Sequence, residues 1–258
     1  MTSAERPPLD RERLQASITH PWARIQVVET TESTNADLLG SAAADPGGSV
    51  LVAEYQSAGR GRLDRTWTSP PRAGLTFSVL LRPDQPTPRW SWLPLLTGLA
   101  LREAVADVTA LDAVLKWPND LLVGPRRLKA AGVLVQLADA VAVIGVGLNV
   151  TTTVDELPVD TATSLAIEGA SPDRTALLVA ILDRLGRRYR RWEGGGEIAA
   201  DYRDACATIG AEVIVSPTDG TPFRATATDV DADGRLVVVS DGEQRVVAAG
   251  DVRHVRPA

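Results

Sequence analysis

The chain has 258 residues, of which 44% are hydrophobic, so it is long enough for one full-size domain with or without a small second one. A formal net charge of −6 argues against non-specific binding to nucleic acid or to an anionic membrane. The lone cysteine, Cys206, excludes an intramolecular disulfide, and the two histidines near the chain ends argue against a histidine-rich metal site. The sequence shows neither an apolar run long enough to span a membrane nor the apolar core of a signal peptide, so we expect a cytoplasmic protein.

The first half of the chain predicts an alternation of strands and helices. Strands are indicated at residues 23–30, 49–55 and 75–81, and helices at residues 36–44 and 90–108. Asp10 is a suitable cap for a short first helix, and Ser33 or Thr34 for the next one. Residues 57–71 are rich in glycine, arginine and proline, which excludes a regular element and leaves an unusually long loop.

The second half predicts further strands, two helical segments and a β-rich end. Strands are expected at residues 113–117, 121–123, 131–137 and 141–150, helical segments at 174–192 and 198–209, and short β segments at 212–216, 221–230 and 236–240. The end that follows Gly210 is too short for a sandwich but suits a small barrel. The predicted fold is therefore α+β, with a mixed β-sheet and packed helices in a main domain at 23–209. An N-terminal segment at 1–22 precedes that domain, and a C-terminal β domain at 210–258 follows it.

The loop after the second strand is the strongest candidate for a functional site. It reads Gln-Ser-Ala-Gly-Arg-Gly-Arg-Leu-Asp-Arg-Thr-Trp from Gln56 to Trp67. Glycines let a loop fold tightly, and arginines present fixed forks of donors, so this segment suits a polyanion such as a triphosphate. Similar patterns occur in disordered RNA-binding tails. The strand before this loop and the tryptophan at its end disfavour that interpretation. The Gly-Lys-Ser/Thr of a Walker loop is missing.

Three shorter motifs follow, and each alone has an ordinary structural explanation. Lys-Trp-Pro-Asn-Asp at 116–120 ends a strand at a proline and suits a simple turn. Lys129 precedes an apolar strand that contains Gly132, as a surface lysine at a strand end would. The glycine-rich apolar segment that ends at Asn149 reads as core, although glycine within a strand often marks the close approach of a ligand or of another backbone.

Taken together, the motifs closely resemble the catalytic domain of biotin–protein ligases. Ser-Thr-Asn at 33–35, the Gly-Arg-Gly-Arg loop, Lys-Trp-Pro-Asn-Asp, Lys-x-x-Gly-Val-Leu-Val and Gly-Val-Gly-Leu-Asn-Val occur in the family's order, from about Thr30 to Val150. The resemblance continues more weakly to the end of the chain, where the family has a small SH3-like β-barrel. It implies a class II synthetase-like domain that forms biotinyl-5'-AMP from biotin and ATP with Mg²⁺. It also implies transfer of biotin to a lysine of a biotin carboxyl carrier protein or domain of a biotin-dependent carboxylase.

The resemblance also implies roles for individual residues, while the metal ligands stay unknown. The residues expected to bind biotin are Ser33, Thr34, Asn35, Gln56, Gly59, Arg60, Arg62, Lys129 and Gly132. Those expected to bind ATP or the adenylate are Arg60, Arg62, Arg65, Trp67, Lys116, Asn119 and Asn149. Those expected to act in catalysis are Lys129, Arg62, Asp120 and Lys116.

Two features depart from the family pattern. Leu63-Asp64 stands where many members have Arg-Gly or His-Gly, and we expect Asp64 to point away from the phosphates and to pair with Arg62 or Arg65. Some members carry an N-terminal helix-turn-helix domain, whereas the residues before Ser33 hold no pair of helices, so DNA binding is not expected.

Several alternatives stay open at this point. A lipoate ligase or octanoyl transferase shares the fold, although the Gly-Arg-Gly-Arg loop and the Lys-Trp-Pro-Asn-Asp turn favour biotin. A non-catalytic biotin-sensing regulator is disfavoured by the presence of Lys129 and Arg62, and a basic-loop nucleic-acid binder by the acidic net charge. The sequence leaves open whether the chain forms a homodimer.

Overall fold

The computed structural model describes residues 6–218, 220–248 and 250–255. Within these residues, twelve strands form a larger and a smaller sheet, and five α-helices accompany them. The larger sheet contains β1 (Arg24–Thr31), β2 (Ser49–Gln56), β3 (Gly74–Leu81), β4 (Ala113–Lys116), β5 (Asp120–Val123), β6 (Leu128–Ala138) and β7 (Val141–Asn149). The smaller sheet contains β8 (Glu212–Pro217), β9 (Phe223–Val230), β10 (Leu236–Ser240), β11 (Glu243–Val247) and β12 (Gly250–His254). The helices are α1 (Arg11–Ala16), α2 (Thr34–Ser41), α3 (Trp92–Thr109), α4 (Arg174–Glu193) and α5 (Ala199–Ala205).

The larger sheet is mixed, with the spatial order β1-β2-β3-β7-β6-β5-β4. Strands β1 and β2 are parallel because the chain crosses over between them through α2, whereas the other neighbours are antiparallel. Strand β3 is buried along its whole length, so both faces of the sheet are covered at its centre. The glycine-arginine loop leaves the sheet from the end of β2 and returns at β3.

Helices cover the two faces unequally. Alternate β3 residues such as Phe77 and Val79 face the main core, which α3 and α4 complete. The intervening Leu80 faces the other side and packs with Leu38 of α2 in a smaller cluster. Because side chains of a strand alternate between faces, α2 and the α3–α4 pair lie on opposite sides of the sheet. This arrangement brings the N-terminus of α2 to the centre of the sheet.

The smaller sheet is antiparallel, in the order β11-β10-β9-β8-β12, and agrees with the predicted small SH3-like barrel. Its valines, among them Val213 and Val238, belong to the same buried cluster as the main domain. Two indole N–H groups reach across, with Trp92 donating to Ala232 O at 2.8 Å and Trp117 to Gly234 O at 3.2 Å. The smaller sheet is thereby fixed beside the β4–β5 turn. The division at residue 210 stays a prediction.

Most of the predicted elements are confirmed within a few residues, including α1, which Asp10 caps. Two predictions were wrong, and two strands were missed. The expected helix at 198–209 ends at Ala205, after which Cys206 pairs with Leu115 as a buried packing residue. The strand predicted from residue 131 begins at Leu128, so Lys129 lies within β6. Strands β11 and β12 were not predicted.

None of the helices in the described part of the chain is long and apolar enough to cross a membrane.

Candidate functional site

A cavity of about 120 Å³ opens between the glycine-arginine loop, the β4–β5 turn, the central strands and β12. It collects side chains from segments that are far apart in sequence, including Asp251 of β12. The predicted site residues that line it are Ser33, Thr34, Asn35, Gln56, Arg60, Arg62, Arg65, Trp67, Asn119, Asp120, Lys129 and Gly132.

The floor of the cavity is a buried network of hydroxyl and amide groups at the start of α2. Ser33 caps the helix, and the Thr34 backbone N–H donates to Gln56 Oε1 at 2.8 Å. Ser78 Oγ donates to Asn35 Oδ1 at 2.6 Å and lies 2.7 Å from Thr34 Oγ1. Neutral hydrogen-bonding groups of this kind suit a polar, uncharged ring, such as a cyclic urea.

Two members of this floor were missed by the sequence analysis, namely Ser78 and Gln136. Gln136 Oε1 accepts from Asn35 Nδ2 at 2.8 Å, and Ser78 is fully buried within β3. Buried polar groups are nearly always hydrogen-bonded. A serine inside an otherwise apolar buried strand is therefore a signal that could have identified Ser78, whereas nothing in the sequence marks Gln136.

The mouth of the cavity holds one carboxylate between two lysines. The β4–β5 hairpin pairs Lys116 with Asp120, and β6 brings Lys129 alongside. Lys129 Nζ lies 2.5 Å from Asp120 Oδ1, too poorly aligned for a hydrogen bond, and Lys116 Nζ lies 3.4 Å from Asp120 Oδ2. These two are the only lysines among the 27 basic residues of the chain. The cluster carries a net positive charge that suits an anionic substrate group.

The glycine-arginine loop is folded back on itself over the cavity. The Trp67 backbone N–H donates to Gly59 O at 2.9 Å, and Arg60 pairs with Thr66 in an isolated antiparallel bridge. A side chain at position 59 would overlap the Trp67 carbonyl, so this turn requires glycine. The loop contains no regular helix or strand, as predicted, but hydrogen bonds within the loop hold its backbone in place.

Two arginines tie the loop to its surroundings. Arg62 donates to Gly250 O at 2.9 Å and to Asn119 Oδ1 at 3.3 Å, and Arg65 forms an ion pair with Asp251. The expected pairing of Asp64 with Arg62 or Arg65 was therefore wrong, because both arginines find partners across the cavity. Asp64 is exposed and does not line the cavity, in agreement with its expected outward orientation.

Glycines of the central strands make room for the cavity's side chains. The Trp67 ring covers Gly147, where any Cβ would overlap the indole, and Asn35 occupies the space beside Gly145 in the same way. The sequence indicated the close approach of a ligand or of another backbone at such glycines, whereas the structure places side chains there, those of Trp67 and Asn35. The Trp67 indole N–H is buried without a hydrogen-bond partner, so a ligand acceptor would satisfy it.

The charged groups around the mouth perturb one another's protonation. Burial lowers the pKa of the Arg62 guanidinium, partly offset by Asp251 and Asp120. Burial alone would raise the pKa of Asp251, but the hydrogen bond and charge of Arg65 outweigh it and leave that pKa below the ordinary carboxyl value. Burial, and then the charges of Lys116 and Arg127, lower the pKa of His254. These shifts leave Asp251 charged and His254 neutral at neutral pH.

Three residues that were expected in the site do not line the cavity. Gly59 supports the loop, and Lys116 reaches the cavity only through Asp120. Asn149 is buried, and its Nδ2 donates to Thr163 O at 3.0 Å, which fixes the segment beside Lys129. In the described residues, no group of three histidine, cysteine or carboxylate side chains is placed to hold a metal ion.

Comparisons with known proteins agree with this geometry. A family model described as "Biotin/lipoate A/B protein ligase family" matches residues 25–149, and one described as "Biotin protein ligase C terminal domain" matches residues 208–255. The chain is similar to a biotin–[acetyl-CoA-carboxylase] ligase of Mycobacterium tuberculosis, with 42% identity over 97% of both chains. It is 31% identical to a bifunctional ligase/repressor of Bacillus spizizenii over 86% of this chain and 71% of that one. A solved biotin protein ligase of Aquifex aeolicus, in complex with biotin and ATP, has 27% identity and a TM-score of 0.77, covering 92% of this chain and 100% of that one.

Proposed function

The chain belongs to the biotin protein ligase family, and from this membership we infer that it joins biotin to protein with ATP. The enzyme forms biotinyl-5'-AMP from biotin and ATP and transfers the biotinyl group to a lysine of a carboxylase carrier protein. The arrangement of charge in the cavity is the observation that supports this function most directly. A neutral, hydrogen-bonding floor lies at one end, and Lys129, Arg62 and Arg65 lie around the mouth. Biotin has the matching polarity, with an uncharged ureido ring at one end and a carboxylate at the other.

The first step joins two anions, which the cationic mouth makes possible. The biotin carboxylate attacks the α-phosphate of ATP, and negative charge accumulates on the phosphate oxygens as pyrophosphate leaves. We propose that Lys129 and Arg62 stabilise this charge, and that Lys116 supports Lys129 through their shared contact with Asp120. Arg62 is held in place by Gly250 and Asn119 before substrate arrives, whereas Lys129 would exchange Asp120 for the phosphate.

The second step needs an uncharged amine on the carrier lysine. Asp120 lines the cavity beside Lys129, and its side chain is 13% exposed. We propose that Asp120 accepts a hydrogen bond from that amine and orients it for attack on the mixed anhydride. The attack forms the amide bond and releases AMP.

Magnesium is proposed to enter with the nucleotide. Asp120 and Asp251 are the carboxylates that line the cavity, and each already contacts a cationic side chain. Magnesium sites of nucleotide enzymes commonly combine one or two carboxylates with substrate phosphates and waters, so these two residues fit such a site without forming a dedicated cage. The ion would neutralise part of the phosphate charge.

The loop has a protective role in this proposal. A mixed anhydride hydrolyses readily, so the site must exclude water between the two steps. Arg62 links the loop to both the β4–β5 turn and β12, which are the other two walls of the mouth. We propose that this link keeps the loop shut over the adenylate until the carrier arrives.

The function is tested by mixing the protein with ATP, Mg²⁺, biotin and a biotin carboxyl carrier domain. The mass of the carrier domain is then measured by mass spectrometry. We expect the added mass of one biotinyl group on its target lysine, and no addition when that lysine is changed to arginine. The rival lipoate ligase predicts the mass of a lipoyl group on a lipoyl domain instead, so the same reaction is run with lipoate and that acceptor.

The finer assignments are proposals. We propose the carrier of an acetyl-CoA carboxylase as the partner, following the name of the relative from Mycobacterium tuberculosis. A cytoplasmic location and the lack of DNA binding stay predictions of the sequence, and the oligomeric state stays open.

A further inference from the structure

Lys129 and Gly132 lie on the same face of β6, although they are three residues apart. The Lys129 side chain extends across Gly132, where a Cβ would come within 3.2 Å of Lys129 Nζ. Successive side chains of a regular strand alternate between the two faces, so residues three apart should lie on opposite faces. The path of the backbone between these two residues must therefore depart from that of a regular strand.

The departure is a β-bulge in β6. The consecutive β5 residues Leu121 and Leu122 pair with Ala131 and Lys129, so Ala130 is an extra residue without a partner on β5. A bulge changes the direction in which neighbouring side chains of its strand point. The bulge therefore accounts for the direction of the Lys129 side chain, which lines the cavity together with Gly132.

A further segment holds the bulged part of β6 from its other side. Strand β7 pairs with β6 only from Ala131 onward. At Lys129 the place of β7 is taken by residues 161–163, which run parallel to β6. The Lys129 backbone N–H donates to Thr161 O at 2.9 Å, and the Thr163 backbone N–H donates to Lys129 O at 2.8 Å. Both backbone groups of Lys129 are thus bonded to this segment.

The side chain of Thr163 anchors the segment to the turn between β5 and β6. Thr163 is fully buried, and its Oγ1 donates to Glu168 Oε1 at 2.7 Å. The other oxygen of the same carboxylate lies against Gly124, the first residue after β5. Any side chain at position 124 would overlap this carboxylate, so the contact requires glycine there. Glu168 thereby connects residues 161–163 to the hairpin that carries Lys129.

We propose that Thr163 and Glu168 are positioning residues for adenylate formation, because their hydrogen bond holds residues 161–163 beside the bulge that directs Lys129 into the cavity. This role rests on the proposed function, in which Lys129 stabilises negative charge on the phosphate. Without the bond, the Lys129 ammonium group is held less firmly where that charge develops. A small displacement of a catalytic group lowers the rate strongly, whereas the floor of the cavity is built from other elements.

The test uses Thr163→Val, which removes the hydroxyl and keeps the shape of the side chain. The rate of biotinyl-5'-AMP formation is measured in a single turnover with labelled ATP, and biotin affinity is measured by calorimetry. We expect the rate to fall by about 10-fold and the dissociation constant of biotin to stay within about 2-fold. Glu168→Leu removes the acceptor and should give the same result, whereas Glu168→Gln keeps an acceptor and should recover most of the rate.

The matched control is Thr97→Val in α3. It removes another fully buried hydroxyl, which donates to Leu93 O at 2.7 Å within that helix, and it should leave the rate of adenylate formation unchanged.

A Lys129→Ala background distinguishes positioning from a general structural effect. If the bond acts through the Lys129 side chain, Thr163→Val should not lower the residual rate of Lys129→Ala any further. An effect on the fold as a whole predicts the same fall in both backgrounds, and that result would overturn the role of Thr163 and Glu168.

The remaining outcomes separate this role from the function on which it rests. A normal rate in Thr163→Val and Glu168→Leu, or equal losses of rate and of biotin affinity, would overturn the positioning role alone. Failure of the unchanged protein to form the adenylate from biotin would overturn the proposed function. Should Thr163→Val fail to fold, as judged by circular dichroism, Glu168→Leu gives the same comparison at the half-buried end of the bond.

Discussion

Lys116 and Lys129 are the only two lysines of the chain, and both contact the carboxylate of Asp120. The other residues in the total of 27 lysines and arginines are arginines. An ammonium group is a compact charge on a flexible stem, which can move from one anion to another more easily than a planar guanidinium. Asp120 holds Lys129 in place in the free protein. A phosphate arriving at the mouth would compete for the same ammonium group.

Lys129→Ala is expected to lower the rate of adenylate formation by at least about 100-fold, the usual effect of removing one group that stabilises developing charge. Biotin affinity should change much less, because the contact acts mainly in the transition state. Pyrophosphate exchange measures the first quantity and calorimetry the second. Lys129→Arg, which keeps the charge, should recover part of the rate. Equal losses in both quantities would assign Lys129 to ground-state binding.

Arg62→Gly is expected to release the adenylate before transfer. The change removes the bonds to Gly250 and Asn119 and adds backbone freedom, so the loop closes less favourably. Lys116 and Lys129 remain, so the adenylate still forms. Escaped biotinyl-5'-AMP acylates exposed lysines of any protein.

The measurement for Arg62→Gly is a blot for biotin on added serum albumin, with ATP and biotin present and the carrier omitted. The enzyme has only two lysines, both beside Asp120, so little label should appear on the enzyme itself. Arg62→Ala separates lost charge from added flexibility. Equal labelling of albumin by the variant and by the unchanged protein would show that Arg62 does not retain the intermediate.

At the scale of elements, β12 is the strand that joins the small sheet to the site. It provides the Gly250 carbonyl for Arg62, Asp251 for Arg65 and His254 for Thr208, whose hydroxyl also accepts the Trp117 backbone N–H. These contacts link the C-terminal strand to the loop and to the β4–β5 turn. The small sheet thereby forms part of the wall of the cavity.

The lowered pKa of His254 predicts a pH dependence of stability. The folded protein keeps this ring neutral through burial and the charges of Lys116 and Arg127, so the unfolded chain binds the proton more readily. Stability from this site is therefore complete above about pH 6.5, the unfolded pKa, and falls as the pH drops from there toward the lowered folded pKa.

Urea unfolding at pH 7.5 and pH 5.0 measures this effect. The free energy of unfolding of the unchanged protein should decrease between the two pH values, and His254→Gln should lose part of that decrease while retaining a partner for Thr208. An identical decrease in both proteins would mean that other groups account for the acid sensitivity.

Across the whole molecule, hydrophobic periodicity in the sequence predicted the helices and strands whose burial follows a regular pattern. Periodicity identified α3, α4 and the central strands, because each has a single buried face or is buried throughout. Strands β11 and β12 escaped detection because β11 is largely exposed and β12 contains a single buried apolar side chain, that of Val252. Such segments are held in place by the neighbouring strands with which they pair.

The residues of the candidate site were likewise predicted only where a sequence motif marked them. Residues within motifs, such as Lys129 and Asn119, were predicted to lie in one site and line one cavity. Asp251 and Ser78 were not, because each reaches the site through tertiary structure from a segment without a motif of its own. Gln136 directly follows the motif of β6 and was missed because it joins the floor only through its bond to Asn35. The error over Asp64 has the same origin, since Gly250 and Asp251, which contact Arg62 and Arg65, lie almost two hundred residues further along the chain.

The central claim is that this one chain activates biotin, and exchange of labelled pyrophosphate into ATP tests it most directly. With the purified protein, ATP and Mg²⁺ but no carrier, we predict exchange that depends on added biotin, because Lys129, Arg62 and Arg65 line one cavity of this chain together with the proposed biotin-binding residues. Lipoate should support no exchange. Exchange that proceeds with lipoate but not with biotin, or that requires the carrier protein, would contradict the account.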